Sequence, residues 1–251
     1  MDPRQRRVRR NDTCPRCFDD RRALGDLLTA PDQTRKKTHM NSITILGSGR
    51  VGTALATALS RNGAEVVIGT RDPERVRTEW AGTDVEVSDT HDALRRSDVV
   101  INATPGDTSL ERFTALADQL SGKILVDVSN ATTRGADGMP GGLVYQESSL
   151  GELLQQALPD VAVVKTLNTM LFSAMGSPAS LGSTPTVFLS ADDHEAKTRV
   201  REILALLGWD DAWIVDLGGI GTARGTEAFA LLVPSLLGAL GFAPFALSIA
   251  R

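Results

Sequence analysis

Residues 43–71 read ITILGSGRVGTALATALSRNGAEVVIGTR, and no other stretch restricts the possible folds so tightly. A short apolar run, 43–46, has the length of a buried strand. Gly47-Ser48-Gly49-Arg50-Val51-Gly52 follows, then a small-residue helix over 53–62, then a second apolar run over 65–70. That order is a strand–helix–strand unit with G-x-G-x-x-G at its first turn. Gly47 permits a tight turn, Gly49 lets a pyrophosphate approach the backbone, and Gly52 lets the helix pack closely on the strand. Free N–H groups and the positive helix end then favour phosphate.

The rest of the chain continues the alternation. Strands are expected at 84–87, 98–103, 123–129, 161–167, 186–190 and 212–215. Amphipathic helical segments are expected at 73–80, 109–120, 149–158 and 191–207. Short continuous apolar strands of this kind are buried on both faces, so the pattern predicts an α/β fold. The sheet should be doubly wound, mostly parallel and Rossmann-like, with a small C-terminal helical segment. Right-handed crossovers place the loops after the strands on one edge, beside a dinucleotide. Thr104-Pro105 and Asn130 would then lie near the nicotinamide half, although each also suits an ordinary turn. Residues 130–145 form a long Gly-rich segment, expected as a loop that borders a site.

Cofactor choice falls at the end of the second strand. An NAD site usually has Asp or Glu there. This chain has Thr70 and Arg71, with Arg75 one helical turn on. A hydroxyl and two guanidinium groups suit a 2′-phosphate, so NADP is the expected cofactor.

Charge divides the chain unevenly. Residues 1–39 carry 11 Lys/Arg against 6 Asp/Glu, whereas the rest carries 16 against 25. An acidic body argues against nucleic acid as the main partner. The segment 1–39 reads as a disordered basic leader that precedes Met40. Cys14-Pro15-Arg16-Cys17 within it could be half a zinc site or a redox pair, but only His39 is a nearby third ligand, so no metal site is expected. No cysteine follows Cys17, which suits a reducing cytoplasm. Residues 40–221 are expected as the nucleotide-binding domain and 222–251 as a helical segment that completes the substrate cleft. Residues 228–250 contain no charge. Pro234, Pro244, Gly238 and Gly241 interrupt that run, so it reads as buried helix at the sheet or at a second subunit in a homodimer, rather than as a membrane span.

Acid–base groups are scarce. His91 and His194 fall at polar helix starts. Tyr145 is the only tyrosine, and Ser149 stands four residues later where a Tyr-x-x-x-Lys pair would need lysine. No catalytic side chain can be named. Hydride transfer between two cofactors needs positioning above all, so the lack of a proton donor favours that chemistry over carbonyl reduction.

Residues from Asn41 onward resemble the NADPH-dependent coenzyme F420 reductases, the F420H2:NADP oxidoreductases of the actinobacterial type. The likeness rests on ITILGSGRVGTALA at 43–56, Gly69-Thr70-Arg71, and Thr133-Arg134-Gly135-Ala136-Asp137-Gly138. It continues in Val163-Val164-Lys165-Thr166-Leu167-Asn168-Thr169-Met170, in Asp216-Leu217-Gly218 and in Thr222-Ala223-Arg224-Gly225-Thr226-Glu227. The resemblance implies that Ser48, Gly49, Arg50 and Val51 contact the NADP phosphates and that Thr70, Arg71 and Arg75 hold the 2′-phosphate. It also implies that coenzyme F420, a deazaflavin, stacks on the nicotinamide in a cleft bordered by residues 130–145, the Asn168 segment and the C-terminal helices. Gly219 stands where the family pattern usually has an acid, Ala246 where it usually has Asn, and the last helix lacks its usual arginine. A reductase of another acceptor (imine, flavin or quinone) and a non-catalytic NADP sensor are the alternative expectations.

Overall fold

The computed structural model describes residues 42–80 and 85–250. The leader, its two cysteines and Asp84 lie outside the described residues. The chain enters through β1 (Ser42–Leu46), α1 (Arg50–Arg61), β2 (Glu65–Thr70), α2 (Pro73–Glu79), β3 (Glu86–Asp89) and α3 (Thr90–Leu94). It continues through β4 (Val99–Asn102), α4 (Ser109–Thr114), α5 (Ala117–Leu120) and β5 (Ile124–Asp127). Then come β6 (Thr132–Arg134), β7 (Pro140–Leu143), α6 (Leu150–Ala157), β8 (Ala162–Lys165) and α7 (Phe172–Met175). The last elements are β9 (Val187–Leu189), α8 (His194–Leu206), β10 (Ile214–Asp216), α9 (Ala223–Ala228) and α10 (Val233–Leu240).

Six strands form one parallel sheet in the order β3-β2-β1-β4-β5-β8, and helices flank it. This is the doubly wound order, in which the sequence reverses direction beside β1 and opens a crevice at the carboxyl ends of the strands. The central strands are buried end to end, with the polar Thr44 of β1 donating its hydroxyl to Ala93 O at 2.7 Å. β9 and β10 pair with each other rather than joining the main sheet in parallel. A single antiparallel bridge, Lys165 to Ser190, ties β9 to the β8 edge.

Three expectations change. The third strand sits at Glu86–Asp89, two residues later than expected, because Asp89 both ends it and caps α3 through the N–H groups of His91 and Asp92. The single helix expected over 109–120 is broken. Leu116 N–H bonds back to Phe113 O at 3.0 Å, a tighter turn that brings Phe113, Leu116 and Leu120 into one apolar cluster. The loop expected over 130–145 contains an antiparallel hairpin, β6–β7.

The chargeless C-terminal run, expected to be buried at the sheet or at a second subunit, is not buried at the sheet. α10 buries none of its residues within the chain, and Leu240 and Phe242 are 61% and 68% exposed. Gly241, at φ 72°, ends the helix, and the following segment returns extended so that Ala246 bridges Met170. Among the described residues no helix is long and apolar enough to cross a membrane.

Candidate active site

Glycine packing shapes the first turn. Gly47 has φ +115°, and a Cβ there would lie 2.5 Å from Ala103 O. A Cβ on Gly52 would lie 1.9 Å from Gly47 O, so only glycine lets α1 leave the sheet at this point. Gly49 is different: a Cβ there would meet nothing within 4 Å. Its lack of a side chain leaves open space over the turn rather than relieving a contact.

The helix beyond it is also left open. Asp72, Asp89 and Asp193 cap α2, α3 and α8 with their carboxylates. At α1 the cap is Gly49, no side chain takes its place, and the first turn holds no acid. Unsatisfied N–H groups of a twelve-residue helix therefore face the gap, where the helix end favours an anion. These residues fit the diphosphate of a dinucleotide.

A cleft of about 990 Å3 runs across this turn. Gly47, Ser48, Gly49, Arg50 and Val51 line it from one side; Thr70, Arg71 and Arg75 line it from the end of β2; Thr104 and Pro105 line it from the loop after β4. Gly52 packs beneath the turn and does not line it. Arg71 is exposed and makes no ion pair among the described residues. Arg75 is engaged: its guanidinium lies 2.6 Å from Glu79 and 3.6 Å from Asp72. Asp72 itself accepts the Arg75 N–H as the cap of α2, which occupies one of the two acids beside Arg75. Arg50 stacks over the Phe172 ring at 5.3 Å, where the cleft meets a second groove of about 700 Å3 between α1 and α7.

Asn130 and Asn168 do not line the cleft. They bind each other behind it: the Asn130 amide donates to Asn168 O at 2.9 Å, and the Asn168 amide donates to Asn130 Oδ1 at 3.0 Å. Gly106 lies so close to Asn130 that a Cβ would be 2.4 Å from its carbonyl oxygen. The loops after β4, β5 and β8 are thus knit together. Leu167, between Lys165 and Asn168, has φ 60°, a left-handed conformation that costs a branched residue on the order of 1–3 kcal/mol. Its neighbours Lys165, Thr166 and Asn168 are all buried, so packing holds the strained turn in place.

Two contributions escaped the reading of motifs. Arg134, on β6, reaches the cleft from the hairpin. Its signal was present in the Thr133–Gly138 segment, but a loop without expected structure gave no direction for the side chain. The second is Glu227, buried on α9, which accepts the N–H groups of Leu150 and Gly151 at 2.9 and 3.0 Å and lies 2.7 Å from Lys165 Nζ. Among the described residues no group of His, Cys, Asp or Glu could hold a metal ion.

Residues 42–131 match the family described as NADP oxidoreductase, coenzyme F420-dependent. A solved structure from Arthrobacter sp. FB24, itself assigned as an F420-dependent NADP reductase, is 40% identical and superposes with a TM-score of 0.76. The match covers 83% of this chain and 99% of that one. The chain belongs to the coenzyme F420-dependent NADP oxidoreductase family. Within curated proteins, an F420-dependent NADP reductase of Methanocaldococcus jannaschii is 24% identical over 76% of this chain and 88% of its own length. Metalloreductase STEAP3 of Rattus norvegicus is 32% identical over 84% of this chain. The chain spans about two fifths of that metalloreductase's length. The family's glycine turn falls inside the matched residues, whereas Arg134, Asn168 and Glu227 lie beyond them.

Proposed function

We propose that the cleft binds NADP(H) and that the protein passes hydride between NADPH and a deazaflavin, coenzyme F420 or a close analogue. The observation that carries this reading is the open floor at Gly49 beneath an uncapped helix, with Arg71 at the cleft's far end and without an ion-pair partner among the described residues. Ser48, Gly49, Arg50 and Val51 would hold the diphosphate, and Thr70 and Arg71 the 2′-phosphate. Arg75 would join only by exchanging Glu79 for phosphate. Thr104 and Pro105 would border the nicotinamide, and the Asn130–Asn168 pair would brace the loops behind them. NADP(H) supplies the hydride chemistry when bound; the chain's part is to orient the ring and exclude water. We read 40–221 as the nucleotide-binding part and 222–251 as the segment that completes the cleft, in a cytoplasmic protein.

A second reading keeps NADPH but changes the acceptor to another small molecule. It draws on Gly219, where a Cβ would lie 2.9 Å from Asp192 Oδ1, so the acid usual in the family would face a carboxylate here. Stopped-flow mixing of NADPH-loaded protein with the deazaflavin tests both. Rapid loss of nicotinamide absorbance is expected. Oxidation only by a flavin, quinone or imine would favour the second reading, and no oxidation by any of them would leave a nucleotide sensor.

A further inference from the structure

Three neighbouring strands end in polar residues that lie directly opposite one another. Asn102 closes β4, Asp127 closes β5 and Lys165 closes β8; Asn102 pairs with Asp127 and Asp127 with Lys165 in the sheet register. All three are buried. Lys165 Nζ donates to Asp127 Oδ2 at 2.8 Å and to Ser129 O at 2.6 Å, and meets Glu227 Oε1 at 2.7 Å. Asp127 Oδ1 accepts from the Asn102 amide at 2.9 Å and from the Ser129 N–H and hydroxyl at 3.1 and 2.7 Å. Asn102 Oδ1 in turn accepts from the Thr104 N–H and hydroxyl.

The donor count settles the charges. Both carboxylates receive only donors, so both are ionised, and the lysine's three protons all have acceptors, so it is an ammonium. One buried cation therefore stands between two buried anions. The N-terminus of α6, at Leu150 and Gly151, offsets part of the Glu227 charge, by about half a unit. The remainder is negative. Burial raises the pKa of nearby Tyr145 first, and the charges of Glu227 and of Asp107 outside the cluster raise it further.

The excess lies under one half of the cleft. Arg71 marks the adenosine end at β2, so the nicotinamide half falls over β4, β5 and β8. The reduced ring is neutral and the oxidised ring carries one positive charge. We propose that the Asp127–Lys165–Glu227 cluster favours the oxidised nicotinamide over the reduced one, making bound NADPH a stronger hydride donor. This rests on the reading that the cleft takes NADP(H). None of the three side chains touches the cleft, so they act through their field and through the Ser129 and Thr104 loops that they hold.

The test needs no acceptor. Dissociation constants for NADP+ and NADPH are measured on the whole chain, wild type and variants, with melting temperature as a check of folding. Glu227→Gln removes a negative charge and should weaken NADP+ relative to NADPH on the order of 3- to 10-fold. Lys165→Met removes the positive charge and should move the ratio the opposite way. Loss of structure alone would weaken both nucleotides together and could not produce opposite signs. Should Lys165→Met not fold, the ratio in Glu227→Gln decides. An unchanged ratio there, or a shift of the same sign in both variants, overturns the proposal. A wild-type protein that binds neither nucleotide sinks the functional reading along with it, whereas binding with an immovable ratio sinks this inference alone.

Discussion

The glycines of the first turn differ in what a single methyl group would do. At Gly52 it would strike backbone, so Gly52→Ala should cost several degrees of melting temperature or prevent folding. At Gly49 it would enter open space, so Gly49→Ala should melt as the wild type does but bind NADPH at least tenfold more weakly. Thermal melts beside nucleotide titrations separate the two; equal behaviour would remove the phosphate role of Gly49. Arg71→Ala should weaken NADPH about 10- to 100-fold, since a charged hydrogen bond contributes about 1.5–3 kcal/mol, and leave NADH nearly unchanged. Equal weakening of both would refute its contact with the 2′-phosphate. Arg75→Ala should act less, because Arg75 already has Glu79 and Asp72 as partners.

At the level of elements, one polar clamp joins β10 to α8. Lys197 Nζ lies 2.7 Å from both Asp216 Oδ1 and Gly218 O, and Gly218 N–H donates to the same carboxylate at 2.8 Å. Partial burial alone would raise the Asp216 pKa. Lys197, the Gly218 N–H and Arg201 outweigh it and hold the carboxyl below its ordinary value. A folded-state pKa below the unfolded one stabilises the fold above the unfolded value, and that contribution is lost as pH falls through the folded one. Asp216→Asn should therefore lower the melting temperature at neutral pH and flatten its decline below about pH 4. A variant with the same acid limb as the wild type would show that the clamp contributes nothing. Lys165 has the opposite sign. Burial would lower its pKa, but Asp127 and Glu227 hold it above the ordinary lysine value. Its contribution is complete below the unfolded value and disappears only in strong alkali, so Lys165 should keep its charge across the neutral range.

At the scale of the whole molecule, the apolar surface around α10 is the main unfinished feature. Leu231, Leu232, Leu240, Phe242 and Ile249 are exposed within one stretch that carries no charge. Burying apolar area is worth about 25 cal/mol per Å2, and a patch of this kind marks an interaction surface. A second copy of the chain is the expected cover, giving a homodimer whose C-terminal segments meet near the cleft. Mass in solution without detergent should be that of two chains, and Leu240→Asp should shift it to one. A wild-type monomer, or a Leu240→Asp protein that still pairs, would remove this arrangement.

Much of this was legible along the chain because the interactions concerned are local. The glycine turn and the alternation of short apolar strands with helices each depend on neighbours within a few residues, and that alternation implies a parallel sheet. The choice of arginine over acid after β2 was equally local. Other features needed the folded molecule. Arg134 reaches the cleft only because residues 132–143 fold back as a hairpin. Arg75 turns to Glu79 because both lie on one face of α2. Glu227 meets Lys165, far from it along the chain, because α9 docks at the N-terminus of α6. The sequence alone determined the doubly wound sheet and the glycine turn at its first crossover; the tertiary structure decided which charges stand together at the ends of β4, β5 and β8, since a buried ion needs partners that only long-range packing brings within about 3 Å.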